Sequence, residues 1–450
     1  MTLFDRKFYG VALFCIVSLC SFSARATDIV EVTSAKGIKA WLVEDDKLPL
    51  IALQFAFRGG VEQDPADKQG LATLTMALLT EGAGPYDAAA FQQQLADHAV
   101  SMRFGAGRDE LSGSIKALRE EKQTAFDLLH LALTQPRFDM AQIARARDRE
   151  LTRSRFQMGD PDWQARYALL NDVFAGHPYS QRSLGSTKTL AAITPADIKA
   201  FTTSHLGRDN LIVAVAGDIT PDELKTALDE IFGELPEHAV LAAVPEVVWP
   251  KETASILIPR DGTQTALFFG KQGPKRGDTD WYAAEVANYT LGGGGFSSRL
   301  MQEVREKNGL TYGIDTGLAP MEHAAMIAGN AATDNSKTGK AWNIALEVWR
   351  KFFHDGVKPE EMAAAKDYLT GSLPLTMTST DAIAGMLVEI QLEYLGRDYL
   401  EKRDSLIRDV QQDDVMRAIK KWFDPSGLTL VMVGKPDGVV PTKTGEQVRE

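Results

Sequence analysis

The residues best suited to chemistry lie between Gly292 and Tyr312. Ser297 or Ser298 can cap a helix by accepting from a backbone N–H of its first turn. Leu300, Met301 and Val304 supply that helix's apolar stripe. Asn308-Gly309 ends it, because glycine enters the left-handed conformation at little cost. Leu310, Tyr312 and Ile314 then alternate as in a strand. Arg305 falls in the last helical turn and Tyr312 on the strand, so a tight turn between them can aim a guanidinium and a phenol at one point. On spacing alone, an arginine favouring the helix dipole beside a core tyrosine is equally consistent.

Other candidate chemistries find less support. The glycines Gly292–Gly295 lack the G-x-G-x-x-G register and the Gly-Lys-Ser/Thr of phosphate loops, and read as a close backbone approach before the helix. The histidines are His98, His130, His177, His205, His238, His323 and His354, with no two three or four residues apart. None can form a helical metal-ligand pair. Met158-Gly-Asp-Pro161 and Gly176-His-Pro-Tyr179 read as turns between helices.

The elements that must position Arg305 and Tyr312 belong to a repeated unit. Asp197-Ile198 opens a helix-like stretch followed by the apolar run Leu211–Gly217, and Asp414-Val415 opens another followed by Leu428–Gly434. All landmarks are displaced by the same 217 residues, which marks a duplicated module of ordinary domain size. Strand-like runs (Ile51–Phe57, Leu211–Ala216, Ala266–Phe269, Leu428–Val433) alternate with helical patterns such as Thr124–Leu133 and Trp342–Phe353. The expected fold class is α+β, two homologous sandwiches of mostly antiparallel sheet with helices packed on one face. The first module spans 27–235, a proline-punctuated linker 236–252, and the second module 253–450.

Residues 1–26 have the layout of a secretory signal peptide: Arg6-Lys7, the apolar run Val11–Leu19, and Ala24-Arg-Ala26 before the cleavage point. Both cysteines, Cys15 and Cys20, fall inside it, so the mature chain has no disulfide, thiol nucleophile or thiolate ligand. Cleavage removes Arg6, Lys7, Arg25 and Asp5 and shifts the net charge from −12 to −14. That acidic balance argues against nucleic acid and anionic membrane as partners. No later apolar run reaches spanning length. The expected location is exported, in a periplasm.

With these features together, an Arg-x6-Tyr pair behind a Ser-Arg-Leu helix in the second half of a duplicated module resembles the pitrilysin family of zinc metallopeptidases, which includes insulysin and the mitochondrial processing peptidases. The resemblance covers residues 28 to 437 and implies half of a clamshell. It further implies that Arg305 and Tyr312 bind the substrate carbonyl and its tetrahedral oxyanion, with Gly294 and Gly295 on the substrate's path, and that His177 and Tyr179 lie near the chamber.

The chain departs from the family at the zinc motif, His-x-x-Glu-His after a Gly-Leu-Ala lead. Here Gly70-Leu-Ala72 leads into Thr73 and Ala77 at the ligand positions and Met76 at the general-base position. The family's third ligand, a glutamate 76 residues further on, falls at Arg153. An arginine repels a cation. The resemblance therefore implies a non-zinc subunit of a heterodimeric peptidase, with no metal of its own and inactive alone. A sister subunit carrying His-x-x-Glu-His would supply zinc and base, and peptides would be the substrates. A catalytically inert scaffold, or a peptide-binding protein of the same fold, is the alternative.

Overall fold

The computed structural model describes residues 28–250 and 252–449, so the signal peptide expected at 1–26 lies outside the described residues. Two six-stranded sheets form the frame. The first contains β1 (Val30–Thr33), β2 (Lys39–Glu44), β3 (Leu50–Arg58), β4 (Ser101–Ala106), β5 (Glu110–Leu118) and β6 (Leu211–Gly217), in the order β1-β2-β6-β3-β5-β4. The second contains β7 (Ser255–Pro259), β8 (Gln264–Gln272), β9 (Ile314–Pro320), β10 (Ala325–Asp334), β11 (Thr429–Gly434) and β12 (Lys443–Thr444), in the order β12-β7-β11-β8-β10-β9. Without the edge strands β1 and β12 the two orders are the same. In each, a late strand (β6 or β11) inserts between a parallel and an antiparallel neighbour.

The repeat extends to helix capping. Helices Pro195–His205 and Gln412–Trp422 precede β6 and β11, and each opens with a capping box. The Asp197 carboxylate accepts from the Thr194 amide at 2.8 Å, and the Asp414 carboxylate from the Gln411 amide at 2.8 Å. Each pair satisfies amides that the first helical turn leaves without partners.

The helices that position the site are α1 (Leu71–Leu78), α2 (Met140–Gly159), α3 (Pro161–Val173), α4 (Trp281–Asn288) and α5 (Thr380–Leu392). All six residues of β11 are buried, as happens when both faces of a sheet are covered. Each sheet has helices of its own half on one face, and the second cover is exchanged between the halves. On α3 the stripe Ala165, Leu169 and Val173 packs onto Ile256 and Ile258 of β7, Ala266 of β8 and Val431 and Val433 of β11. On α5, Ala384, Leu387 and Val388 pack onto Trp41 and Val43 of β2, Ala52 and Ala56 of β3, and Ala214 and Ala216 of β6. Burying side chains such as Leu169 and Val173 contributes ~1.5–3 kcal/mol each. Arg58 on β3 closes the C-terminal end of α5 by donating to the carbonyls of Gln391 (3.0 Å) and Leu392 (2.9 Å).

Residues 239–250 run between the sheets without helix or strand. They are tied to the first half by the Ala242 amide on Gln63 (2.8 Å) and to the second by the Val247 amide on the His323 carbonyl (2.9 Å). Among the described residues no helix is long and apolar enough to cross a membrane.

Candidate functional site

Helix α4 does not stop at Asn288 but widens into a π turn over Tyr289–Gly293. Gly292 makes that turn possible: a Cβ there would sit 2.4 Å from the Thr316 hydroxyl and 2.7 Å from its amide nitrogen. Asn288 secures the junction by donating to the Thr316 carbonyl at 3.1 Å and accepting from its hydroxyl at 2.8 Å. Gly295, at φ 55°, turns the chain outward. The next helix starts behind Ser298, whose carbonyl accepts from Gln302 at 3.0 Å, and is of π type over Met301–Lys307. Leu300, Met301 and Val304 are buried, as the apolar stripe requires. Gly309 is left-handed at φ 61°, and its amide donates to the Arg305 carbonyl at 2.8 Å.

Beyond that point the chain departs from the strand expected from Leu310 onward. β9 begins at Ile314, and Tyr312 stands in a bend before it. Side chains from β10 and from the bend override the alternating pattern. The Thr333 hydroxyl donates to the Leu310 carbonyl, while the Thr311 hydroxyl lies 2.7 Å from the Ala332 carbonyl and accepts from the Gly313 amide at 3.1 Å. With Leu310 buried and Thr311 engaged, Tyr312 projects outward and is 84% exposed.

Arg305 and Tyr312 line one cavity of about 340 Å³, together with Gln264, Asp334 and Lys337. The Arg305 guanidinium lies over the Phe296 ring, 4.5 Å from its centroid, and its Nε is 3.7 Å from the Glu306 carboxylate. Among the described residues neither the Arg305 nor the Tyr312 side chain makes a hydrogen bond, so their donors are available to a ligand. The Lys337 ammonium is pushed up chiefly by its 2.8 Å contact with Asp334, with a smaller contribution from Tyr312. Gly294 and Gly295 lie outside this cavity's lining, just before Phe296, whose ring lies under the Arg305 guanidinium.

In the first half, α1 forms where the zinc helix was expected. The Asp64 carboxylate accepts from the Gly70 and Ala72 amides, each at 2.8 Å. Met76 is buried in the core. The Thr73 hydroxyl donates to the Ser183 carbonyl at 2.7 Å, and Ala77 offers no donor atom. Arg153 on α2 is 61% exposed and folds onto Glu150, 2.9 Å away. These residues do not fit a zinc ion, which needs imidazole or carboxylate ligands converging on one point. Among the described residues no group of three His, Cys, Asp or Glu is arranged to hold a metal.

Glu150 was not legible in the sequence. Its side chain is 3% exposed, and burial pushes its carboxyl up against the opposing effect of Arg153 and Arg149. No pattern in the polar stretch Arg149–Arg155 distinguishes it from its solvated neighbours. His177 is buried, with Nε2 2.8 Å from the Pro245 carbonyl and Nδ1 accepting from the Tyr179 amide at 3.1 Å, so it serves the packing of its loop.

Comparison with known proteins agrees with this architecture. The family described as peptidase M16 inactive domain matches residues 192–369. The chain is 26% identical over 346 residues to the non-peptidase homolog YmxG of Helicobacter pylori, covering 77% of this chain and 79% of that one. It is 24% identical over 355 residues to an uncharacterized zinc protease of Mycobacterium tuberculosis, with 74% and 81% covered. A crystal structure of a peptidase M16 inactive domain from Pseudomonas fluorescens matches 92% of this chain and all of its own, at TM-score 0.85 and 28% identity. The periplasmic protease PqqL of Escherichia coli shares the fold at TM-score 0.78 and 16% identity, over 97% of this chain and 49% of its own. Over residues 192–369 the chain matches the peptidase M16 inactive domain, and over most of its length it is similar to proteins described as M16 inactive-domain or non-peptidase homologues. The resemblance to pitrilysin-type peptidases read from residues 292–312 agrees with these similarities and with the shared fold.

Proposed function

We propose that this chain is the substrate-gripping, non-zinc subunit of an exported heterodimeric peptidase. The observation that carries the reading is an asymmetry between its halves. Arg305 and Tyr312 share one open cavity with uncommitted donors, while Thr73, Met76, Ala77 and Arg153 are engaged or unsuited to metal. In this reading the first module (27–235) carries the eroded zinc half, and the second (253–450), after the linker 236–252, carries the gripping half.

The chemistry of this chain's own residues is hydrogen-bond donation. Arg305, held over Phe296, would donate from a fixed cation to a peptide carbonyl oxygen, and Tyr312 would donate its phenolic O–H to the same oxygen. Arg305, set in place beforehand by Phe296, would favour the negative charge that develops on that oxygen and lose little to reorganisation. Zinc and the general base would come from a sister chain with His-x-x-Glu-His. The size relation supports such a partner, since this chain spans 49% of PqqL, whose single chain is about twice as long. A scaffold of the same fold is the second reading, favoured by the non-peptidase name of the Helicobacter relative.

The test is reconstitution with the His-x-x-Glu-His partner from the same organism. The complex should cleave peptides that neither chain cleaves alone. If this chain adds nothing to the partner's activity, the scaffold reading replaces the proposal.

A further inference from the structure

A second cavity, of about 240 Å³, lies in the first half beside the eroded zinc helix. Ser183, whose carbonyl takes the Thr73 hydroxyl, is on its wall. The volume is below the ~300–1,000 Å³ usual for small-molecule sites and suits a single amino-acid residue. Three arginines from separate parts of the chain converge on it: Arg108 after β4, Arg166 on α3, and Arg182 in the loop beyond. Among the described residues Arg166 makes no hydrogen bond or ion pair. Arg108 commits one nitrogen, donating to the Tyr179 carbonyl at 2.9 Å.

Burial pushes the Arg108 guanidinium down; Asp109 opposes that, and Arg166 adds to it. The two cations therefore repel each other across a space that a bound anion would neutralise. A different observation specifies the rest of the ligand. Gln181 Oε1 is buried on this wall with no hydrogen-bond partner, an acceptor waiting for an N–H. The same cavity is lined by Trp163 and Tyr167, which stack at 5.1 Å between centroids with their planes 6° apart, an apolar face for a side chain.

An anion, an adjacent N–H donor and an apolar side chain within one residue's volume describe the last residue of a peptide. We infer that this cavity binds the free C-terminus of peptides: Arg108 and Arg166 take the α-carboxylate, Gln181 accepts from the terminal residue's amide, and the Trp163–Tyr167 stack receives its side chain. Guanidinium–carboxylate pairs are among the strongest hydrogen-bonded contacts in proteins, and capture of a terminal carboxylate is a recurring mode of peptide recognition. The inference rests on the peptide-handling reading above for its class of ligand and extends it with a second anchor.

The experiment is calorimetric titration of the purified chain with an N-acetylated, alanine-rich hexapeptide ending in leucine. Comparison peptides are its C-terminal amide, a form N-methylated at the last amide, and an amidated form with an internal glutamate. The free acid should bind ten- to a hundredfold more tightly than the amide, the range for a hydrogen-bonded charged group. Arg166→Ala, at an exposed position, should remove most of the acid's advantage over the amide. N-methylation should weaken binding in the native chain but not in Gln181→Leu. Equal binding of acid and amide, or no binding of either, overturns the inference. So does an amidated glutamate peptide that binds as tightly as the acid, since the cavity would then read side-chain carboxylates. The titration uses the isolated chain and requires no catalysis, so its failure and failure of the Arg305–Tyr312 assignment are read separately.

Discussion

Rebuilding the zinc helix by Thr73→His, Met76→Glu and Ala77→His should produce a destabilised protein rather than a zinc protein. Met76 is 1% exposed, so a carboxylate at that position is buried without a counter-ion. An uncompensated buried charge costs ~3–5 kcal/mol. Two imidazoles one turn apart form only part of a zinc site, and the residue expected at the third-ligand position, Arg153, supplies no ligand. Adding Arg153→Glu supplies an anionic ligand and removes the partner that now holds Glu150. With free zinc at a thousand times its dissociation constant, this fourfold variant should gain ~4 kcal/mol of stability. The assay is urea denaturation of both variants with and without zinc. The triple variant should show no zinc-dependent gain and the fourfold variant the full gain. Equal gains in both would refute the reasoning and make buried Glu150 the anionic ligand, and no gain in either would show that α1 and α2 no longer frame a metal site.

Gly292→Ala should cost ~1–3 kcal/mol, since its Cβ meets Thr316 at 2.4 Å, whereas Gly295→Ala meets no atom within 4 Å and should cost only the ~1–2 kcal/mol of a left-handed residue; denaturant midpoints rank the two. Burial pushes the Glu62 and Asp64 carboxyls up to about 7, from ordinary values of 4.5 and 3.8. The folded state therefore binds protons that the unfolded state has released, and the stability this gives is complete below the ordinary values and lost as pH rises through 7. Glu62→Gln should flatten the fall in unfolding free energy across that window. Asp197 behaves in the opposite sense: its hydrogen bond from Lys68 holds it at about 2, so its contribution is present at neutral pH and disappears in strong acid. Metal analysis of the isolated chain should find zinc well below one equivalent.

The duplicated fold was legible because the constraints that create it are local. The 217-residue offset recurs in the capping carboxylates Asp197 and Asp414 and in the buried runs of β6 and β11. Periodicity identifies a buried stripe but not what buries it. The stripe Ala165-Leu169-Val173 would look the same on either sheet, and so the exchange of α3 and α5 between the halves was not legible. The bend at residues 310–313 shares its alternation with a strand, and hydroxyls from Thr311 and Thr333 decide between them. Arg305 and Tyr312 could be read together because only six residues and one glycine turn separate them. Arg108, Arg166 and Arg182 meet only through tertiary packing, which no spacing encodes.

The central claim is that this chain contributes donors to a reaction whose metal lies in another chain. It is tested most directly by single-turnover kinetics of the reconstituted complex carrying Arg305→Ala or Tyr312→Phe. Both side chains face an open cavity, and neither makes a hydrogen bond that the fold would lose among the described residues. Folding and subunit pairing should therefore survive, while the cleavage rate falls about a hundredfold for either variant, the scale for losing one oxyanion donor. Full cleavage rates in both variants, with the complex intact, would contradict the account.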